Sequence, residues 1–184
     1  MGSEFNLNWF DDDTYAEIYK QEFSIGTAEN ACKWGTTHQA QDTYFLDPCV
    51  NHLRRAKANG QKFRGHNLCW GEWNPSWLVN FKGTPAELDK ILKDHITYVM
   101  QTVPYWAGDA DQKTIIGWDV VNEAIVDGEG TFKSNIWYDN LPDYVERAFR
   151  YAEQADPTTL LFYNDYNVLD MKKQDKIVSM IKGM

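Results

Sequence analysis

No run of 18 apolar residues occurs in the chain, so no segment is long enough to span a bilayer as a helix. Cations are scarce as well: 18 Lys and Arg against 27 Asp and Glu leave a formal net charge of -9. A nucleic acid or an anionic lipid surface would be repelled by that balance unless a basic patch were hidden. None is visible in the sequence, so neither partner is expected. Cysteine is sparse. Cys32, Cys49 and Cys69 allow one disulfide and a leftover thiol at most. Without CxxC spacing or a nearby histidine pair they argue against a zinc site, and they leave the redox compartment open. The opening Met1-Gly-Ser-Glu-Phe5 lacks a basic stretch followed by an apolar core, so no signal peptide is read there. Residues 1–4 read as a remnant of cloning, and Gly2 to Phe5 are set aside from the fold argument. Residues 5–184 are expected to form one domain with no internal linker.

What is plentiful is aromatic surface, 15% of residues with 8 Trp, 10 Tyr and 9 Phe. Such rings serve either as ordinary core or as platforms for a neutral, flat-faced ligand. Along the chain, helical periodicity alternates with short apolar runs. Thr14 and Glu17 have capping-box spacing ahead of a helix bearing Tyr15, Ile18 and Tyr19. The run Asp11-Asp12-Asp13 suits a helix N-terminus better than a cation. Phe23 to Ala28 reads as a strand. Asp47-Pro48 opens a helix that Asn59-Gly60 closes, and Phe63 to Trp70 is the next strand. Thr84-Pro-Ala-Glu87 is a second capping box, followed by the stripe Leu88, Ile91, Leu92, His95 and Val99, ending before Pro104. His95 on that stripe reads as a core or rim histidine. Ile115 to Val121 is a strand, Pro142 opens a helix ended by Asp156-Pro157, Thr159 to Tyr163 is the last strand, and Met171 to Ile181 starts a final helix.

Alternation of this kind predicts parallel strands covered by helices. The reading gives four strands, half of what a closed eight-stranded barrel needs over about 250 residues. In parallel α/β folds reactive groups gather at the carboxyl ends of strands. All four ends here are polar, with Glu29, Asn30 and Lys33 after the first and His66 to Trp70 on the second. Asn122 and Glu123 close the third, and Asn164 to Asn167 follow the fourth. Amides, carboxylates, an imidazole and an ammonium are partners for hydroxyl groups, and indoles stack on pyranose faces. A carboxyl placed as Glu123 is, beside Trp and apolar strand residues, can hold its proton near neutrality, as a general acid at a glycosidic oxygen must. A rim salt bridge with a lysine or arginine is the competing reading of Glu123.

Four stretches carry a resemblance. Trp118-Asp-Val-Val-Asn-Glu-Ala124 resembles the acid/base signature of family 10 glycoside hydrolases, the endo-β-1,4-xylanases. Thr27-Ala-Glu-Asn-Ala-Cys-Lys-Trp34, Arg64-Gly-His-Asn-Leu-Cys-Trp70 and Tyr163-Asn-Asp-Tyr-Asn167 are similar to its other motifs, in the family's order. The resemblance implies a partial TIM barrel and retaining hydrolysis of xylan. It implies Glu123 as acid/base and Asn122 as the residue holding the sugar 2-hydroxyl. It further implies Glu29, Asn30, Lys33, His66 and Trp70 as glycone-side contacts, and Tyr166 on the leaving-group side. No cofactor or metal is implied, because carboxyl groups suffice. Secretion is implied by the family alone.

Two departures stand out. Gly71, Glu72 and Trp73 follow Trp70 where the family usually has a His directly after the tryptophan and a Gln two residues later. Trp73 is therefore expected to supply a different stacking surface and Glu72 to face solvent. More seriously, the resemblance starts at the family's first helix and stops after its fifth strand. The Thr-Glu-Leu-Asp segment bearing the nucleophile has no counterpart here. The expectation is a partial barrel completed by self-association or a complementing chain, binding xylan or xylo-oligosaccharides, and weak or inactive when isolated. A non-catalytic half-barrel module is the alternative.

Overall fold

The computed structural model describes residues 1–111 and 113–184. Five parallel strands form one sheet in sequence order: β1 (Gly2–Phe5), β2 (Ile25–Ala28), β3 (Lys62–Trp70), β4 (Ile115–Asn122) and β5 (Leu160–Asn164). Between them run α1 (Asp13–Glu22), the short α2 (Trp34–Thr37), α3 (Asp47–Ala58), the short α4 (Ser76–Val79), α5 (Pro85–Trp106) and α6 (Tyr144–Ala155), with α7 (Met171–Lys182) last. When every crossover has the same hand and each strand is added on the same side, the helices all fall on one face and the other face turns concave. This is the wall of a β/α barrel with five strands instead of eight, and β1 and β5 are its two edges.

The expected strand count is thus one short. Residues 2–5, set aside as a remnant, are β1, paired with β2 from Gly2 against Ile25 to Phe5 against Ala28. Gly-Ser-Glu has no strand pattern of its own. The strand exists because Phe5, 2% exposed, packs on Phe10, Tyr19 and His52 while the backbone pairs with β2.

Several helix ends differ from the sequence expectation. The cap of α1 is Asp12, whose carboxylate accepts from the N–H groups of Thr14 and Tyr15, so the Thr14–Glu17 box is not used. A carboxylate at the first turn outcompetes a hydroxyl there because it also meets the helix dipole. In α3, Asp47 lies inside the first turn and Leu46 is the cap, while Asn59 and Gly60 (φ +72°) end the helix as expected. The Thr84–Glu87 box of α5 forms in both directions. That helix does not stop at Pro104 but runs through it to Trp106. The proline falls in the last turn, where only one carbonyl loses its partner and the Val103 and Pro104 carbonyls are taken by Ala107 and Asp109. Pro142 precedes α6, whose cap is Asp143.

The core lies between sheet and helices. Phe63, Leu68, Trp118 and Val120 from the strands meet Leu53, Leu92, Ile96, Val99 and Ala148 from α3, α5 and α6. Gly65 on β3 is needed for this, since a Cβ there would lie 2.1 Å from the Trp118 ring. Cys32 and Cys49 form a disulfide and Cys69 is a buried free thiol. His95 is fully buried, stacked on Trp34 at 3.6 Å with its Nδ1 3.2 Å from that of His38, a core histidine as expected.

Candidate active site

The strand order lays the polar strand ends side by side. At the end of β4, Asn122 is 2% exposed, and its Oδ1 accepts from Asn164 Nδ2 of β5 at 2.8 Å. Glu123 follows with φ +52°, a left-handed conformation that costs a non-glycine residue on the order of 1 kcal/mol or more. The turn breaks strand alternation, so Glu123 joins Asn164, His66, Asp119 and Arg64 around a concave cavity of about 630 Å³. Its backbone is pinned on both sides. Glu123 N–H donates to the Asn164 carbonyl at 2.9 Å, and Ala124 N–H donates to Tyr163 Oη at 2.9 Å. Tyr163 in turn donates to Asp165 at 2.5 Å, and burial beside that carboxylate pushes its phenol well above the usual range.

From β3, His66 Nδ1 lies 2.9 Å from Asp119 Oδ2, and Arg64 forks onto the same carboxylate while its guanidinium covers the Phe162 ring at 4.5 Å. Asp119 is almost fully buried, so it orients both side chains from below. From the loop after β2, Lys33 Nζ donates to Asn30 Oδ1 at 2.8 Å and sits 5.0 Å and 5.4 Å from the ring centres of Trp70 and Trp73. Burial lowers the Lys33 pKa, and the fields of Glu4, Glu123, Glu29 and Glu72 oppose that fall. Trp73 adopts φ +54° and is 53% exposed, with its carbonyl held by the N–H of Gly35 at 2.9 Å. Glu29 is exposed and accepts from Asn6 Nδ2 at 3.3 Å. Glu72 is exposed in its loop, as expected.

Tyr166 lies on the other side of Glu123. Its half-exposed ring has Lys173 Nζ 4.0 Å and Lys133 Nζ 5.1 Å from its centre. Lys133 Nζ is also 3.7 Å from Glu123 Oε2, with both side chains roughly a quarter exposed. The salt bridge weighed against a catalytic role thus exists, but as a contact longer than a hydrogen bond that leaves Glu123 open to the cavity.

The structure brings Glu29, Asn30, Lys33, His66, Trp70, Trp73, Asn122 and Glu123 to one rim, with Tyr166 reached through Lys133. Sequence reasoning missed Asp119, Arg64, Lys133 and Glu4 as parts of this site. The signal for Asp119 was present, a charge in the middle of an apolar strand. Lys133 lies in a long loop with no periodicity to place it. Among the described residues no group of three or more His, Cys, Asp or Glu is arranged to hold a metal ion.

The family model for glycosyl hydrolase family 10 matches residues 1–184. Endo-1,4-beta-xylanase B of Thermotoga neapolitana is 37% identical over 176 residues, which is 95% of this chain and 48% of that protein. A beta-1,4-xylanase of Dictyoglomus thermophilum is 36% identical over 172 residues, 92% of this chain and 46% of that protein. Among solved structures, xylanase 10B of Thermotoga petrophila RKU-1 in complex with xylobiose superposes with a TM-score of 0.87 at 34% identity, covering 100% of this chain and 54% of that one. The intracellular xylanase of Thermoanaerobacterium saccharolyticum gives 0.92 at 31% identity, covering 99% and 58%. The chain spans about half the length of these relatives.

Proposed function

The chain belongs to glycosyl hydrolase family 10, and from that premise we propose that it is the acid/base half of a retaining endo-β-1,4-xylanase. Glu123 protonates the glycosidic oxygen and later deprotonates the attacking water. Asn122, fixed by Asn164, holds the sugar 2-hydroxyl. Glu29, Asn30, Lys33 and His66 bind glycone hydroxyls, Trp70 and Trp73 supply ring faces, and Tyr166 lines the leaving-group side. The observation that carries this reading is that Glu123, His66, Arg64 and Asn164 line one cavity from three neighbouring strand ends, while Lys33 stands by Trp70 and Trp73 after the next strand.

Retention needs a second carboxyl about 5–5.5 Å from the first, and that carboxyl comes from outside these 184 residues. The isolated chain is therefore weak or inactive. Closing the barrel takes a second copy or a complementing chain laid against the unpaired edges β1 and β5, which the exposed Leu160, Val168, Leu169 and Met171 support. The disulfide supports an oxidising, extracellular location. No helix among the described residues is long and apolar enough to cross a membrane.

The test is reducing-sugar release from xylan, by the chain alone and mixed with a polypeptide supplying the remaining strands. Turnover is expected only on completion, and Glu123→Gln lowers it by a factor of about 10² or more. Turnover that ignores Glu123→Gln overturns the assignment. Light scattering that finds a monomer across micromolar concentrations overturns self-association and leaves the complementing chain. A non-catalytic xylo-oligosaccharide module is the second reading, favoured by the missing nucleophile, and binding without turnover in the completed protein would select it.

A further inference from the structure

The cavity around Glu123 and His66 reaches Glu4 at the first strand. Adjoining it through Glu4, toward the edge of the sheet, lies a second open cavity of about 340 Å³ lined by Glu4, Phe5, Asn6, Trp9, Tyr15 and Glu29. Glu4 lines both cavities, and within the second one Asn6 Nδ2 donates to Glu29 at 3.3 Å. Trp9 is 62% exposed. Leaving so large an apolar ring in water forfeits stabilisation that burial would give, and it is the opposite of what core packing would select.

The ring is nevertheless held on a fixed support. Residues 7–9 form a single 3₁₀ turn capped by the Asn6 side chain, which accepts from Asn8 N–H at 3.0 Å. Trp9 N–H donates to the Asn6 carbonyl at 3.1 Å, and the Trp9 carbonyl accepts from Asp12 at 3.2 Å, which ties the turn to the cap of α1. An indole presented on a rigid turn loses little freedom when a ligand stacks on it.

We propose that this cavity is a distal sugar subsite, in which Trp9 stacks on a further pyranose of the chain bound at Lys33. Glu29 and Asn6 take that sugar's hydroxyls. The position of the ligand follows from the strand order. Glu123 stands at β4, His66 and Trp70 at β3, Glu29 and Lys33 after β2, and Trp9 after β1. These span three strand spacings, about 14 Å, more than one pyranose covers. The occupant is a neutral sugar, because Glu4 and Glu29 accept hydroxyl hydrogens and repel anions. The inference rests on the saccharide cleft proposed above and adds a length preference to it: each sugar that reaches Trp9 strengthens binding, while shorter ligands do not use it.

The test is calorimetric titration of the wild-type chain, Trp9→Ala and Trp9→Phe with a xylo-oligosaccharide series from the disaccharide to the hexasaccharide. The quantity read is the ratio of affinities for the longest and shortest ligands. Trp9→Ala is expected to lower that ratio roughly tenfold, the loss of one stacking contact, and Trp9→Phe to restore most of it. A ratio that Trp9→Ala leaves unchanged overturns the subsite while the cleft stands. A wild-type chain that binds no member of the series overturns the cleft, and the subsite with it. Circular dichroism of both variants guards against misfolding, which an exposed position makes easy to satisfy.

Discussion

Helices α5 and α7 belong to the same wall, yet they are held in opposite ways. α5 buries Leu88, Leu92, Ile96, Val99, Met100 and Val103 along one stripe, with β4 behind it almost wholly covered. α7 buries a single residue, Lys173, and every residue of β5 retains exposure. Lys173 is held by charge: its ammonium lies 2.6 Å from both Asp127 and Asp165. Burial pushes its pKa down, but the two carboxylates more than offset this and hold it above the ordinary lysine range. The contrast teaches that in a wound β/α wall the burial of each unit is completed by the next. Among the described residues α5 has neighbouring units on both sides and α7 on one only; Val178 and Ile181 are about half exposed there, and an ion pair does the anchoring.

The largest effect that would test this contrast lies on the packed side. Trp118→Ala removes a ring 1% exposed against Gly65 and is expected to cost about 3–5 kcal/mol in urea unfolding. A cost below about 1 kcal/mol would mean the packed side is not what stabilises the wall. Next is Lys173→Met, which leaves the buried Asp165 carboxylate without its cation. The expected cost is about 3 kcal/mol, with amide-exchange protection lost across α7 and retained in α5. Equal loss in both helices would erase the distinction between them.

A graded effect follows from the histidines on the packed side. Burial lowers the pKa of His38, His52 and His95 below the usual histidine value, most strongly for His95, which His38 lowers further. The unfolded chain then binds more protons than the folded one below about pH 6.5, so stability is complete above that pH and declines as the pH falls toward the depressed folded values. Urea midpoints should drop between pH 7.5 and 5.0, before partly exposed carboxylates such as Asp127 and Asp170, whose pKa values are held low, begin to titrate. His95→Leu should flatten that slope. A slope unchanged in His95→Leu would remove the imidazole from the account. The smallest effect is expected at Leu169, 90% exposed after β5, where Leu169→Ser should shift stability by no more than about 0.5 kcal/mol in the isolated chain. A larger loss would show that this surface is already covered, for instance by a second copy.

Much of the wall was legible because its signals are local. The Thr84–Glu87 box, the apolar stripe of α5 and the Asn59-Gly60 stop each depend on residues within a turn or two of one another. The rim residues were legible for a related reason: parallel strands deliver their carboxyl ends to one side whatever their sequence. What escaped was non-local. β1 forms only because Phe5 finds Tyr19 and His52, and Lys133 reaches Glu123 only through the fold of a long loop. Asp119 was misjudged as one letter of a motif, when it is the buried anion beneath Arg64 and His66.

The residue pattern alone determined that this chain is a β/α wall with polar side chains gathered at its strand ends, because periodicity, caps and strand direction are written within short stretches. Tertiary structure alone decided which strand end neighbours which, that Glu123 turns through a left-handed residue into the cavity beside Asn164, and that a lysine rather than a leucine anchors the last helix. Those outcomes depend on contacts between segments more than 20 residues apart, and more than 40 for Asp127 with Lys173 and Asn122 with Asn164. No local pattern encodes such distances.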